Sequence, residues 1–188
     1  MKILVGYYSE TGNTKQIAQK IHEVASSKNE AEIKPIQKIV VDELKKYDLI
    51  FVGSACQDTD LARPFKRFLE KLPHNPRFKL AGFFTHATYT PEDTARRKAL
   101  FENWAGRCVP TFERTCQQKE IDFLGYFHCM GAASGPIEVF IHKEIIVDDE
   151  EWKEYQLELK MHPDTKDLEN VKAFTKEILH KTLDTTSP

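Results

Sequence analysis

Short apolar runs alternate with amphipathic segments along most of the chain. Residues 2–8 (KILVGYY) form a run of apolar, β-branched and aromatic side chains, which is typical of a strand buried on both faces. From Ile17 to Ala25 the apolar residues recur at i, i+1, i+4, i+7 and i+8, the spacing of a helix with one apolar face. These patterns predict a strand, a polar loop and a helix.

The same alternation continues and predicts four further strands. We expect them at residues 31–36, 48–53, 80–85 and 121–130. Helical segments lie between them, including a long charged helix that Gly106 and Pro110 should kink or break. Strands that alternate with helices predict a parallel sheet covered on both faces, which is a three-layer α/β fold.

The C-terminal part of the sequence predicts one more helix. Asp164 is its expected N-cap, and its apolar stripe consists of Leu168, Val171, Phe174 and Ile178. No linker rich in Gly, Ser or Pro divides the chain. We therefore expect the 188 residues to form a single domain.

An extra segment at residues 132–163 lies between the fifth predicted strand and the last helix. Trp152, Tyr155 and Leu159 fall at helical spacing within it, whereas alternate apolar residues at 137–141 fit a strand equally well. We expect this segment to be mostly helical.

Composition and charge argue against a nucleic-acid-binding protein and against a membrane protein. The 27 basic and 29 acidic residues give a formal net charge of -2 without a long basic block, so we expect no nucleic-acid partner. No apolar run approaches the ~20 residues of a membrane helix, and no signal-peptide pattern follows Met1. We expect a cytoplasmic protein without a membrane partner. The four irregularly spaced cysteines are expected to be reduced thiols.

A polar loop, here called the first loop, separates the first strand from its helix. It consists of Ser9, Glu10, Thr11, Gly12, Asn13 and Thr14. The amides of a first helical turn lack intrahelical partners, and the helix dipole favours an anion there. The loop's three hydroxyls can each donate to a phosphate oxygen, and Gly12 lets the backbone approach closely. Without a basic residue, the first loop favours a monophosphate, although an ordinary N-cap and turn would use the same residue types.

The pattern S-x-T-G-N-T directly after an N-terminal strand resembles the FMN phosphate loop of the flavodoxin family. The resemblance extends over nearly the whole chain, because five strand-helix units cover it. It implies a flavodoxin-like doubly wound sheet of five parallel strands in the order 2-1-3-4-5, of which flavodoxin itself is a standard example, with FMN at the switch point.

By the same resemblance, two later loops flank the flavin ring. The second loop is residues 54–61 and includes Ser54, Ala55, Cys56, Gln57, Asp58, Asp60 and Leu61. The third loop is residues 85–89 and consists of Thr85, His86, Ala87, Thr88 and Tyr89. Main-chain groups of both loops would bind the pyrimidine edge of the ring, and Tyr89 is the best candidate to stack on it.

The second loop departs from the family pattern because it lacks the aromatic residue that flavodoxin-type carriers often have there. Either Leu61 packs against the flavin ring instead, or the ring is more open. If Asp58 and Asp60 lie near the ring, their charges would lower the potential of its low-potential couple; a solvated turn is the alternative.

Cysteine and histidine residues suggest a further site that the sequence does not favour. Four of them come from strand ends or the loops after them, namely Cys56, His86, His128 and Cys129. The paired spacing of a zinc motif is absent, and consecutive residues in a strand point to opposite faces. We predict no metal site and no catalytic side chain. A redox-active thiol at Cys56 or Cys129 is an alternative to an inert, buried one.

The resemblance implies an FMN-binding redox protein that transfers electrons through the bound flavin. Redox partner proteins or a small electron acceptor would then be its partners. The nearly neutral charge is unusual for a carrier, so an FMN-dependent NAD(P)H:quinone or small-acceptor reductase is the alternative. A flavin-free binding module is the third hypothesis. The sequence slightly favours a carrier over an enzyme and predicts no particular oligomeric state.

Overall fold

Five long parallel strands form the central sheet. The computed structural model describes residues 1–90 and 94–184, except for the side chain of Asp184. The strands are β1 (Lys2–Tyr7), β2 (Glu30–Pro35), β3 (Leu49–Gln57), β5 (Lys79–His86) and β6 (Phe123–Met130), while the two-residue β4 (Asp60–Leu61) pairs antiparallel with the end of β3. The order is β2-β1-β3-β5-β6. Numbering the long strands alone gives 2-1-3-4-5, so the predicted fold class and strand order are confirmed.

Seven α-helices surround this sheet in the described residues. They are α1 (Asn13–Ser26), α2 (Arg63–Glu70), α3 (Ala95–Ala105), α4 (Cys108–Lys119), α5 (Gly135–Glu144), α6 (Asp149–Met161) and α7 (Thr165–Asp184). Two short 3-10 helices, Ile36–Lys38 and Val41–Lys46, lie between β2 and β3. No helix in the described part of the chain has the length and apolar character needed to cross a membrane.

Side chains of each strand alternate between two apolar layers. Ile3 and Val5 of β1 pack with α1 and α7, whereas Leu4 belongs to the layer that contains α2 and α4. All three are fully buried. This explains why the strands read as continuous apolar runs, since both faces of the sheet are covered.

The long charged helix breaks where the sequence predicts it. The helix α3 ends at Ala105 and α4 begins at Cys108, so Pro110 lies in the first turn of α4, where its missing N–H costs nothing. A Cβ on Gly106 would lie 2.3 Å from the carbonyl oxygen of Glu102. Only glycine therefore fits this break without a backbone shift.

Gly106→Ala is expected to destabilise the protein by about 1–3 kcal/mol, because the added methyl group must displace backbone. Gly135→Ala is the matched control, since a Cβ there meets no atom within 4 Å and the change should be neutral or slightly stabilising. Urea unfolding of both variants measures the difference. Equal stability of the two variants would contradict this explanation of the break.

The second loop forms a hairpin in the structure. The strand β3 continues to Gln57, and the turn residues Asp58 and Thr59 have φ angles of 49° and 69° before β4 returns. Positive φ at both central residues is the backbone of a tight two-residue hairpin turn. The hairpin extends β3 beyond the carboxyl edge of its neighbour β1.

The segment between β6 and α7 contains α5 and α6, and Ile137 and Val139 are helical residues of α5. A third apolar cluster joins these helices to the carboxyl edge of the sheet; it includes Tyr89, Met130, Ile141, Ile146, Tyr155 and Leu159. After α6, Asp164 accepts a hydrogen bond of 2.8 Å from the Asp167 amide and so caps α7 as predicted.

Candidate functional site

A pocket of about 610 Å³ lies at the carboxyl edge of the sheet. The first loop, the second loop and the third loop all contribute lining residues, together with residues 131–134 after β6. Neighbours β1 and β3 have their connections on opposite faces of the sheet, which makes this edge the topological switch point. The three loops singled out in the sequence therefore meet in one pocket.

The first loop forms a closed turn before α1. Gly12 has a φ of 100°, a conformation that favours glycine, and a Cβ there would meet nothing within 4 Å. The Gly12 amide donates to Ser9 Oγ at 3.1 Å. Asn13 Nδ2 donates to Thr11 Oγ1 at 2.9 Å and to the Ala132 carbonyl at 2.8 Å, which ties the loop to the chain after β6.

The three hydroxyls of the first loop have different positions. Thr11 is exposed and lines the pocket. Thr14 is buried, and its hydroxyl lies 2.8 Å from that of Thr85, so it joins the first loop to β5. Thr11 is the one of these three residues that lines the pocket, and Ser9 Oγ accepts from the Gly12 amide within its own turn.

The first loop favours an anion beside the first turn of α1, whereas the side chain of Glu10 is itself an anion. The first turn of α1 contains no acidic residue, so its amides and dipole are not neutralised. Glu10 accepts a 2.5 Å hydrogen bond from the Tyr8 hydroxyl. This bond, helped by one from Gln57, lowers the pKa of Glu10, and the same bond raises the pKa of Tyr8 to about 12. Glu10 is thus an ionised acceptor whose carboxylate is bound by neighbouring donors.

The second loop contributes five consecutive residues to the lining of the pocket. Ala55, Cys56, Gln57, Asp58 and Thr59 line it. Ser54 is buried, and its hydroxyl donates to the Ala55 carbonyl and accepts from the Ala62 amide, so it supports the base of the hairpin.

Two expectations for the second loop are corrected by the structure. Leu61 is fully buried in the apolar layer that contains α2 and does not line the pocket, so the expectation that it packs against a flavin ring is wrong. Asp60 forms an ion pair of 2.8 Å with Lys66, which offsets its charge. Asp58 is exposed at the turn and is the carboxylate of this loop that borders the pocket.

In the third loop, His86 is held by two hydrogen bonds. Its Nδ1 lies 3.0 Å from the Thr88 carbonyl and its Nε2 lies 3.0 Å from Nδ1 of His128. A carbonyl only accepts, so Nδ1 of His86 carries its proton and Nε2 accepts from His128. Burial lowers the pKa of His86 and lowers that of His128 to about 4. Both rings are therefore neutral near pH 7.

Tyr89 of the third loop forms part of the pocket wall. It is only 4% exposed, and its ring makes an edge contact with Tyr155 at 4.9 Å between centroids. The Arg97 guanidinium lies 4.2 Å from the Tyr89 ring centre. Stacking of Tyr89 on a flavin stays a prediction, and little of its ring is exposed for such a contact.

The cysteines and histidines at the strand ends do not form one cluster. Cys129 is buried in the layer with α1 and α7, whereas His128 stacks on Phe84 on the opposite face. Cys56 donates to the Trp104 carbonyl at 3.4 Å. His86 and His128 are hydrogen-bonded to each other, but among the described residues the four do not form a group of three or more that could hold a metal ion.

One side of the pocket, here called the apolar wall, was not predicted from the sequence. It consists of Leu100, Trp104, Ile137, Phe140, Ile141 and Ile146. The rings of Trp104 and Phe140 meet edge to face at 5.6 Å between centroids. These residues come from α3, α5 and the chain after α5, and no single periodicity marks them as neighbours.

The residues present fit a phosphate monoester attached to a flat ring. The first loop offers unpaired helix amides and the Thr11 hydroxyl, and the open space beside Gly12 leaves room for an anion. The second and third loops provide backbone groups around the adjoining pocket. FMN combines a phosphate with a planar ring, and its phosphate matches the donors of the first loop.

Comparison with known proteins agrees with this fold. A family model described as Flavodoxin domain matches residues 4–176. The flavodoxin-like domain-containing protein BilS of Clostridioides difficile (strain CD3) is 27% identical over 190 residues, which cover 96% of this chain and 98% of that protein. A flavodoxin from the domain Archaea has a TM-score of 0.62 at 17% identity, covering 97% of this chain and 99% of that one. Oxidised flavodoxin 1 from Bacillus cereus has a TM-score of 0.62 at 18% identity, covering 96% and 98%.

Proposed function

Because this chain belongs to the flavodoxin-domain family, we propose that it binds FMN in the pocket at the sheet edge and transfers electrons through the bound flavin. The family supports a flavin-binding redox role. The observation that carries the choice of FMN is the position of the first loop, whose anion-binding helix terminus opens into the same pocket as the second and third loops. When bound, FMN supplies the electron-accepting ring, and the protein binds and shields it.

Each loop has a separate role in this proposal. The amides at the start of α1 and the Thr11 hydroxyl bind the phosphate, and each charge-assisted hydrogen bond contributes roughly 1.5–3 kcal/mol. Asn13 positions the first loop through its bonds to Thr11 and Ala132. The hairpin and the third loop orient the ring, and the His86 bond to Thr88 keeps the third loop in place.

An electron carrier is favoured over a reductase that oxidises NAD(P)H in this pocket. None of the described lining residues is Lys or Arg. A dinucleotide carries several phosphate charges, and these would have no basic partner beside the flavin. Electrons would instead come from a redox partner protein, which does not need to enter the pocket.

Anaerobic titration of the FMN-loaded protein tests this function. We expect one flavin per chain to be reduced by dithionite and reoxidised by ferricyanide while it stays bound through gel filtration. NADH and NADPH are expected to oxidise no faster with the loaded protein than with free FMN. Protein that stays colourless after FMN is added would contradict the redox function and favour the binding module, and saturable NAD(P)H oxidation would favour the reductase.

A further inference from the structure

The apolar wall presents uncovered apolar surface to the pocket. Phe140 is 42% exposed and Ile137 is 47% exposed, although both line a concave site. Trp104 is half-buried next to Phe140. Apolar surface gathered in a concavity is typical of a site that a ligand covers.

Among the described lining residues, this side of the pocket has no charged side chain. The carboxylates among the described lining residues are Glu10 in the first loop and Asp58 in the hairpin turn, and neither belongs to the apolar wall. The lining likewise includes no basic residue in the described part of the chain. An ion placed against this wall would lose water without gaining a partner, so the wall selects an uncharged ligand.

The shape and chemistry of the wall favour an aromatic ligand. Trp104 and Phe140 meet at an interplanar angle of 75°, so a flat ring can meet one by its face and the other by its edge. The volume of about 610 Å³ belongs to the whole pocket, which the FMN ring and a ligand on the wall would share. The first loop, which would bind the FMN phosphate, belongs to a different part of the lining from the wall.

We propose that the apolar wall is a second ligand site, which binds an uncharged planar aromatic molecule beside the flavin. The inference rests on the proposed function, because the FMN ring completes the site. The competing arrangement is one in which the wall packs directly against the FMN ring and leaves no second site.

Equilibrium dialysis of the FMN-loaded protein distinguishes the two arrangements. The probe is dimethylnaphthoquinone with both quinone positions methylated, so that it does not react with the Cys56 thiol. We expect it to bind saturably, and naphthalenesulfonate, an anionic aromatic of similar size, to bind at least roughly 10-fold more weakly. Equal affinity for both probes would overturn the charge argument and the proposal.

Phe140→Ser should weaken binding of the quinone by roughly 10-fold, since an apolar ring contact is lost, and should weaken binding of FMN much less. Val139→Ser on the same helix is the matched control, because Val139 is 67% exposed and does not line the pocket. It should change neither affinity. Loss of FMN affinity in Phe140→Ser together with no quinone binding by the wild type would overturn the second site. Failure of the wild type to bind FMN would instead overturn the proposed function, and the inference with it.

Discussion

Thr11→Asp is expected to weaken FMN binding by at least roughly 100-fold. Thr11 is the first-loop hydroxyl that lines the pocket, and the change replaces a donor by a negative charge beside the proposed phosphate position. Loss of one charge-assisted hydrogen bond reduces the binding free energy by about 1.5–3 kcal/mol. Repulsion between the Asp carboxylate and a phosphate charge about 4 Å away reduces it by about 1–4 kcal/mol more. Titration of the apoprotein with FMN, followed by quenching of flavin fluorescence, measures the effect.

The matched control for this variant is Gln19→Glu, which adds the same charge to an exposed position of α1 away from the pocket. Its FMN affinity should stay close to that of the wild type. Thr11→Asp should leave the affinity for riboflavin unchanged, because riboflavin has no phosphate to be repelled. Retention of full FMN affinity by Thr11→Asp would contradict the placement of the phosphate at the first loop.

The apoprotein is expected to lose at least roughly 2 kcal/mol of stability between pH 6.5 and pH 5 because of its buried histidine pair. Burial lowers the pKa of His86 and His128 in the folded state, so the folded protein binds fewer protons than the unfolded chain in this range. The contribution of the neutral pair to the free energy of unfolding is therefore complete above the unfolded pKa near 6.5. It decreases as the pH falls towards the folded pKa, which for His128 is about 4. His128 alone contributes roughly 2 kcal/mol over this interval, and His86 adds to this loss.

Urea unfolding at several pH values measures this dependence. His128→Gln should reduce the slope of stability against pH, because it removes one of the two buried imidazoles. His74→Gln is the matched substitution away from the buried pair, since the His74 side chain is 60% exposed. A flat stability profile of the wild type between pH 6.5 and pH 5 would contradict the description of a neutral, buried pair.

The sheet and the first loop were predictable because their signals are local. Residues 2–8 read as a strand buried on both faces, and Gly12 among hydroxyl residues marks the start of a crossover helix. The break between α3 and α4 was also predictable, since Gly106 and Pro110 are close in sequence. In each case the structural preference depends on neighbouring residues along the chain.

The direction of individual side chains in the site was less predictable. Leu61 and Ser54 belong to a predicted ligand loop, yet hairpin pairing turns both into the protein. The hairpin itself lacks the Asn-Gly signal, because its turn uses Asp58 and Thr59 at positive φ. Thr59 is β-branched and rarely adopts this conformation, so its sequence argued against the turn that the structure contains.

The apolar wall depends on tertiary packing and therefore had no sequence signal. Trp104 and Phe140 lie on separate helices, and each also fits an ordinary core-facing position. The pair becomes a pocket wall only because α5 crosses the carboxyl edge of the sheet, where the Tyr155 hydroxyl of α6 also donates to the Ala87 carbonyl. Local periodicity in the sequence does not predict such a contact between distant segments.

The most direct measurement of the central claim compares FMN with riboflavin as ligands of the wild-type apoprotein. The two molecules share the isoalloxazine ring and differ in the phosphate. If helix amides and Thr11 bind that phosphate, FMN makes at least two charge-assisted hydrogen bonds that riboflavin cannot make. Riboflavin should therefore bind at least roughly 100-fold more weakly than FMN. Equal affinity for the two flavins, or no binding of either, would contradict the account.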